Sequence, residues 1–545
     1  MTKNINIRNA SFYCIYTRNH SESGTFQGII DDLSRIAQMG IDFVWLLPIH
    51  PVGKTNRKGT LGSPNIRNAS FYCIYTRNHS ESGTFQGIID DLSRIAQMGI
   101  DFVWLLPIHP VGKTNRKGTL GSPYSIDNFR EINPEHGNLD DFCRLVSEVH
   151  RHGMRLMIDI VFRHTSHDCP WATQHPEWYL RDESGKPIAL VPEWSDILDL
   201  KFEGNEKTLW KELIDILKYW CELGVDGFRM DVASGVTMDF WRQARKEVLA
   251  EYPNNIWLAE STRLPYIEDH RVKRELVNTD NELYEVFDIC YDYDIYGAWR
   301  ATTANAIPVK SYLEMIRLQS TIYRKDFIKL RFLENHDQQR VSHIFRENRS
   351  KALAWTSFSS FLKGCFLIHA GQETEQTKTS SLFEKDWNDC QETEQTKTSS
   401  LFEKDWNDCK NMYSLQNYFQ ELIQIKNNPI IHSNDSNFFI TEHHPCIVII
   451  WENENNREGL IGIFNVSKTN EQFIRIQDLP DGKYENLLSN PKIKDIIQYD
   501  YPTINVTNNG NILIPPVACI LHYSGFVLRP KMFYSELFDF NYKGM

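Results

Sequence analysis

Three carboxylates each close an apolar run of strand-like composition: Asp231 in GVDGFRMDVA, Glu260 in NIWLAES and Asp337 in IKLRFLENHD. A run such as Ile256 to Ala259 has the length and apolarity of a strand buried on both faces, so the group ending it stands at the rim of a parallel sheet. In (β/α)8 barrels that rim carries the chemistry. The same rim receives His164 from RLMIDIVFRH, Arg229 two positions before Asp231 and on the same strand face, and His336 beside Asp337. Carboxylates, a guanidinium and imidazoles converging there suit cleavage of a glycosidic bond, which needs a pair of carboxyl groups in different protonation states. A lone strand-end aspartate is more often a cap or an ion-pair partner, and a lone histidine a satisfied structural group. Here the joint pattern outweighs those readings.

Placing these groups requires eight strand-helix units, and the periodicity supplies them. Strand one is expected at Ser70 to Arg77, followed by a helix with Phe85, Ile88, Ile89, Leu92 and Ile95 on one face. Asp101 to Ile108 reads as strand two. A helix from Asn138 to Gly153 opens on an asparagine cap and closes at glycine, and strand three follows at Arg155 to Phe162. The remaining strands fall near 225–232, 255–260, 286–292, 328–334 and 364–370. Between strand three and its helix lies a long detour, 165–206, rich in tryptophan, proline and charge, and loops of that length in compact domains are usually functional. Trp171, Trp178, Tyr179 and Trp194 in it offer flat faces for sugar rings, although packing of the detour itself explains any single one of them. From 436 to 524 the pattern becomes short β-rich runs between Asn, Asp and Gly turns, the signature of an antiparallel sandwich. The aromatic tail 525–545 carries no assignment.

Two exact duplications interrupt this order. Residues 6–64 recur identically at 65–123, and 372–390 recur at 391–409. Solenoids stack many similar units, whereas here two unrelated segments each occur twice. A barrel has one slot per strand, so the extra copies are expected to be artefacts, with 1–64 a duplicate-bearing N-terminal segment and 65–435 the barrel. The copy joined directly to Tyr124 is expected to fill the slots, because it needs no long loop closure.

Composition excludes other classes. The net charge is -12 over 545 residues, so no basic face advertises a nucleic-acid partner. The opening MTKNINIRNA has no apolar core of signal-peptide length, and no run reaches the ~18 apolar residues of a membrane span. The chain therefore reads as cytoplasmic, without a membrane partner. Eleven cysteines without a CxxC pair indicate free buried thiols. Oligomeric state is left open, and His50 and His109 in the duplicated PIHP read as structural.

Taken together the runs resemble the α-amylase superfamily of glycoside hydrolases, family 13. Four signature segments stand in the family's order: IDIVFRH (158–164), GFRMD (227–231), WLAES (257–261) and ENHD (334–337), flanked by GSPYSIDNF and GCFLIHAGQE. The resemblance implies a barrel with a small domain B in the detour and a C-terminal β-domain without chemistry. It also implies a retaining mechanism on α-glucan oligosaccharides. Asp231 would be the nucleophile, kept ionised by Arg229, and Glu260 the acid and base, its pKa raised by apolar surroundings and neighbouring aspartates. Asp337 would stabilise the transition state, His164 and His336 bind sugar oxygens, and Tyr124 stack on the sugar. Asp159, inside strand three, is expected to orient its neighbours. The implied activity is hydrolysis of α-1,4 bonds in maltodextrin or starch fragments. The alternatives are glucanotransfer or an α-glucosidase-type reaction and, from another class, silent sugar binding.

No cofactor is expected. Where the family carries an asparagine that ligates a structural calcium, this chain has Arg163, and a guanidinium offers no lone pair to a cation. Arg163 is expected instead to pair with a carboxylate, Asp199 first, and so to pin the detour.

Overall fold

The computed structural model describes residues 66–385 and 415–528, apart from positions 347, 434, 469, 491 and 498, together with 12–15, 26–38 and 43–46. Eight parallel strands close into a barrel: β1 (Ser70–Ile74), β2 (Phe102–Leu105), β3 (Arg155–Ile160), β4 (Gly227–Met230), β5 (Ile256–Ala259), β6 (Ile289–Tyr291), β7 (Lys329–Arg331) and β8 (Cys365–His369). Each pairs with its neighbours in sequence, and β8 returns to β1 through Phe366 opposite Ser70. Every expected strand is present, and each is shorter than its apolar run. Asp231 and Glu260 directly follow the last residues of β4 and β5, and Asp337 lies in the turn after β7.

Apolar runs became central strands because both faces are covered; FVWL in β2 and IWLA in β5 are buried throughout. Phe85, Ile88, Leu92 and Ile95 lie fully buried on the two short helices Phe85–Ile89 and Leu92–Gln97, while Ile89 is only partly covered. The helix Leu139–Arg151 starts at a full capping box: Asn138 accepts from the Asp141 N–H and Asp141 accepts from the Asn138 N–H. It stops at Gly153, whose φ of +76° suits glycine. After β3 the detour forms one small antiparallel pair, His164–Ser166 with Ile197–Asp199.

The C-terminal part is one continuous antiparallel sheet: β9 (Ser436–His443), β10 (Cys446–Asn453), β11 (Glu458–Phe464), β12 (Gln472–Arg475), β13 (Gly482–Asn486), β14 (Thr503–Thr507), β15 (Asn511–Ile514) and β16 (Ala518–Ser524). Its order is β9-β10-β11-β16-β13-β14-β15-β12. Val448, Ile461, Tyr484, Val506, Ile512 and Leu521 bury one face in an apolar cluster drawn from the sheet and its own loops, so the sheet covers itself by folding over. The other face of β10 and β11 packs on the barrel side, where the Trp451 indole N–H donates to the Phe361 carbonyl. The described cysteines are all free thiols, and among the described residues no helix is long and apolar enough to cross a membrane.

The barrel's first two strands come from the second copy of the long duplication. The first copy lies in a separate compact unit, Met1–Ser63. Its described parts are a helix, Phe26–Gln38, and the parallel strands Phe12–Ile15 and Phe43–Leu46, paired in the same register as their barrel counterparts. Seating the first copy in the barrel would loop out the whole second copy between Pro64 and Tyr124, a closure cost that the observed arrangement avoids. Deleting 6–64 is therefore expected to leave the barrel's melting temperature within about 2 °C and its activity unchanged. A larger fall in a thermal melt would show that the barrel draws on the first copy. In the short duplication, 386–409 lies outside the described residues, as do His50 and most of the tail, 529–545.

Candidate active site

Arg229 organises the rim. It projects from β4 with no exposed surface, inside an aromatic cage of Trp104, Tyr124 and Tyr291, whose rings lie 5.8, 5.8 and 5.5 Å from its guanidinium carbon. A cation so placed has to be neutralised, and three carboxylates do it. Its Nη1 donates to Asp231 Oδ1 at 2.6 Å and to Asp159 Oδ1 at 2.9 Å. Its Nη2 stands 3.0 Å from Glu260 Oε1, an ion-pair distance without a hydrogen bond's alignment. One guanidinium thus spans the carboxylates of β4 and β5.

Burial raises the Glu260 pKa most, Arg229 pulls it back, and Asp231 and Asp337 push it up again, leaving it at about 8. Burial likewise raises fully enclosed Asp159, with Arg229 opposing. Asp337 behaves differently. Burial works to raise it, but His336, whose Nε2 lies 3.1 Å from Oδ2, together with Arg229 and Arg263 holds the carboxyl below its ordinary range.

The turn after β7 shows why ENHD has its composition. Buried Glu334 takes Arg340 on one oxygen at 2.6 Å and the Val341 N–H on the other at 2.6 Å. Asn335 donates to the Tyr293 hydroxyl at 2.9 Å and accepts from the Asp337 N–H at 2.9 Å. Two residues fix the turn and the next two face the cleft. Tyr124 joins this side to the floor: its hydroxyl donates to Asp159 Oδ2 at 3.1 Å and lies 2.8 Å from His336 Nε2, and its ring stacks on His336 at 5.8 Å. His164 is buried across from it, with Nε2 3.2 Å from the Tyr124 carbonyl, and burial lowers its pKa, favouring the neutral imidazole. The Nδ1 atoms of His164 and His336 are buried without a protein partner.

All seven expected site residues, Tyr124, His164, Arg229, Asp231, Glu260, His336 and Asp337, come together at the strand ends, and Asp159 contacts two of them as an orienting group would. Residues 66–186 and 178–421 match the family described as Alpha amylase, catalytic domain, and 439–494 match the Bacterial Alpha amylase C-terminal domain. The chain belongs to the α-amylase family. The crystal structure of an α-amylase from Lactobacillus plantarum is 34% identical with a TM-score of 0.75, covering 84% of this chain and 99% of that one. A noncanonic maltogenic α-amylase, AmyB from Thermotoga neapolitana, is 28% identical with a TM-score of 0.69, covering 85% and 100%. Curated relatives include α-1,4-glucan:maltose-1-phosphate maltosyltransferases from Pseudomonas aeruginosa, 35% identical over 37% of this chain, and Rhodospirillum rubrum, 30% identical over 57%. The chain spans only 34% and 45% of the length of those two relatives.

Sequence reasoning missed part of this amylase-family site. Trp104 and Tyr291 floor it beneath Arg229, with the indole Nε1 and the phenol oxygen buried and unpartnered. Their signal was slight: an aromatic in the middle of an apolar run reads as core. Of the detour aromatics, Trp171 stacks on Phe129, Trp178 on His175, and Tyr179 is buried with its hydroxyl on Thr165. Trp194, half-buried 5.7 Å from His164, stands beside a site residue. His109 is structural as expected, buried with Nδ1 3.2 Å from the Glu131 carbonyl.

Arg163 is buried where the family's calcium-binding asparagine stands. Its Nε lies 3.1 Å from Asp199 Oδ1, and Asp199 Oδ2 accepts the Leu190 N–H at 2.6 Å. The guanidinium lies 5.6 Å from the Trp194 ring and fills the space left by Gly235, where a Cβ would fall 2.4 Å from Nη1. These residues do not fit a calcium ion. The buried guanidinium has no lone pair to offer a cation and already holds the Asp199 carboxylate.

Proposed function

We propose that this chain is a retaining enzyme acting on α-1,4-linked glucose oligosaccharides through a covalent glycosyl intermediate on Asp231. The observation that carries the reading is the single buried guanidinium bound to Asp231 and within ion-pair reach of Glu260. It favours the short carboxyl separation of about 5 to 5.5 Å that lets one group attack while the other protonates the leaving oxygen. Glu260, raised to about 8 chiefly by burial, keeps its proton at neutral pH and can donate it. After the leaving group departs, the same carboxylate takes a proton from the acceptor. Asp337, held ionised, faces the positive charge that develops on the sugar.

The acceptor separates two readings. The maltosyltransferase relatives favour transfer to another sugar, and we place that first. Hydrolysis, the activity expected from the sequence, is supported by the likeness to the L. plantarum α-amylase over nearly its whole length. Incubation with maltooligosaccharides decides: products longer than the substrate mark transfer, shorter ones alone mark hydrolysis, and inversion at the anomeric carbon would refute both.

No calcium is required in this reading, because the Arg163 and Asp199 pair pins the detour in its stead. Chelator is expected to leave melting temperature and activity unchanged. Arg163→Ala is expected to cost about 3 kcal/mol, since it strands a buried carboxylate, and to open 165–206 to protease. A melting temperature that falls in chelator and recovers with calcium would overturn this.

A further inference from the structure

The nucleophile's strand leaves the sheet in a strained conformation. Val232, directly after Asp231, has φ 42° and ψ 42°. A β-branched residue enters that left-handed region only at an energetic cost, and such strain persists where the surrounding fold holds it in place. The hydrogen-bond ladder shows what is gained. Rungs between β4 and β5 run regularly up to the Glu260 N–H, which donates to the Met230 carbonyl at 3.0 Å. In a parallel ladder the next donor is the Val232 N–H, and its usual acceptor would be the Glu260 main-chain carbonyl. It donates instead to the Glu260 side chain, Oε2, at 2.7 Å. The chain then turns out of the sheet into the short 3-10 turn Ala233–Gly235, which the Gly235 N–H closes on the Val232 carbonyl at 2.8 Å.

We infer that the Val232 main-chain N–H is a positioning group for the acid, tethering the Glu260 carboxyl to the nucleophile's own strand so that acid and nucleophile keep one spacing. This rests on the reading of Glu260 as acid and base. The left-handed turn ends the ladder just where continuing it would draw this N–H onto a main-chain carbonyl. Arg229 holds the other oxygen's side, so the carboxyl plane is set from two directions. An N–H donated to a carboxyl oxygen favours its ionised form, so the tether also opposes burial in setting where the acid titrates.

The test replaces the Val232 amide by an ester, introducing the α-hydroxy analogue of valine by nonsense suppression; the side chain stays and the N–H goes. The basic limb of the kcat/KM profile on maltooligosaccharides is expected to move up by about one pH unit, with kcat falling about tenfold. The matching ester at Val236, whose N–H donates to the Ala233 carbonyl, controls for loss of a loop hydrogen bond and is expected to leave the limb in place. Val232→Gly keeps the N–H and removes the steric strain, so it is expected to raise the melting temperature without moving the limb. A limb unmoved by the Val232 ester, or a lower melting temperature in Val232→Gly, overturns the inference. If Glu260→Gln keeps full activity, the acid assignment itself has failed and the inference falls with it; a limb lost in Glu260→Gln but unmoved in the ester condemns the inference alone.

Discussion

Asp231→Asn is expected to reduce turnover of maltooligosaccharides by roughly 10⁴-fold or more while leaving a folded protein. The amide matches the carboxylate in size but is a poor nucleophile, so no glycosyl intermediate forms. The fold should survive because Arg229 keeps Asp159 at 2.9 Å and Glu260 at 3.0 Å after one of its three counter-charges is lost. Circular dichroism and a thermal melt check the fold, and trapping with a slow fluorinated glycosyl donor checks the intermediate. Substantial activity in Asp231→Asn, or a label on another residue, would sink the assignment.

Glu260→Gln tests the acid through the leaving group. Oligosaccharide leaving groups need a proton at the departing oxygen, and losing the donor is expected to cost 10²- to 10⁴-fold, within the usual range of about 10²–10⁴. Maltosyl fluoride departs without that help, so its first step should fall by less than about tenfold. The sign of the pH dependence follows from the raised pKa: Glu260 is protonated and competent below about 8, and kcat/KM on maltooligosaccharides falls as pH rises through that value. In Glu260→Gln this basic limb should vanish. Equal losses on both donors would remove Glu260 from the acid role.

Glu260 owes its raised pKa to burial and neighbouring carboxylates, and Asp337 its lowered one to His336 with Arg229 and Arg263, yet both lie on the same rim. Opposite shifts within one cleft divide the labour between a proton donor and a fixed anion.

Much of this was legible in the chain. Largely apolar runs marked the strands because a strand covered on both faces must be mostly apolar, and a carboxylate at the end of such a run has only the rim to occupy. Arg229 and Asp231, two apart on one strand, had to share a face. The charge mismatch of Arg163 against a calcium site was visible in one residue, and Asp199 is its partner in the fold. Other features were settled by long-range packing alone. Trp104 and Tyr291 read as core because nothing local distinguishes an aromatic that pads a barrel from one that floors a buried cation. The C-terminal strands were recognisable, but their union in a single self-covering sheet depends on pairing between distant segments, such as β11 with β16. Two identical copies of β1 and β2 carry identical local information, so only chain connectivity around Tyr124 chose between them. The left-handed Val232 follows no propensity of valine; the tertiary structure imposes it, because the N–H that β4 would have given to the sheet is taken by the side chain of Glu260.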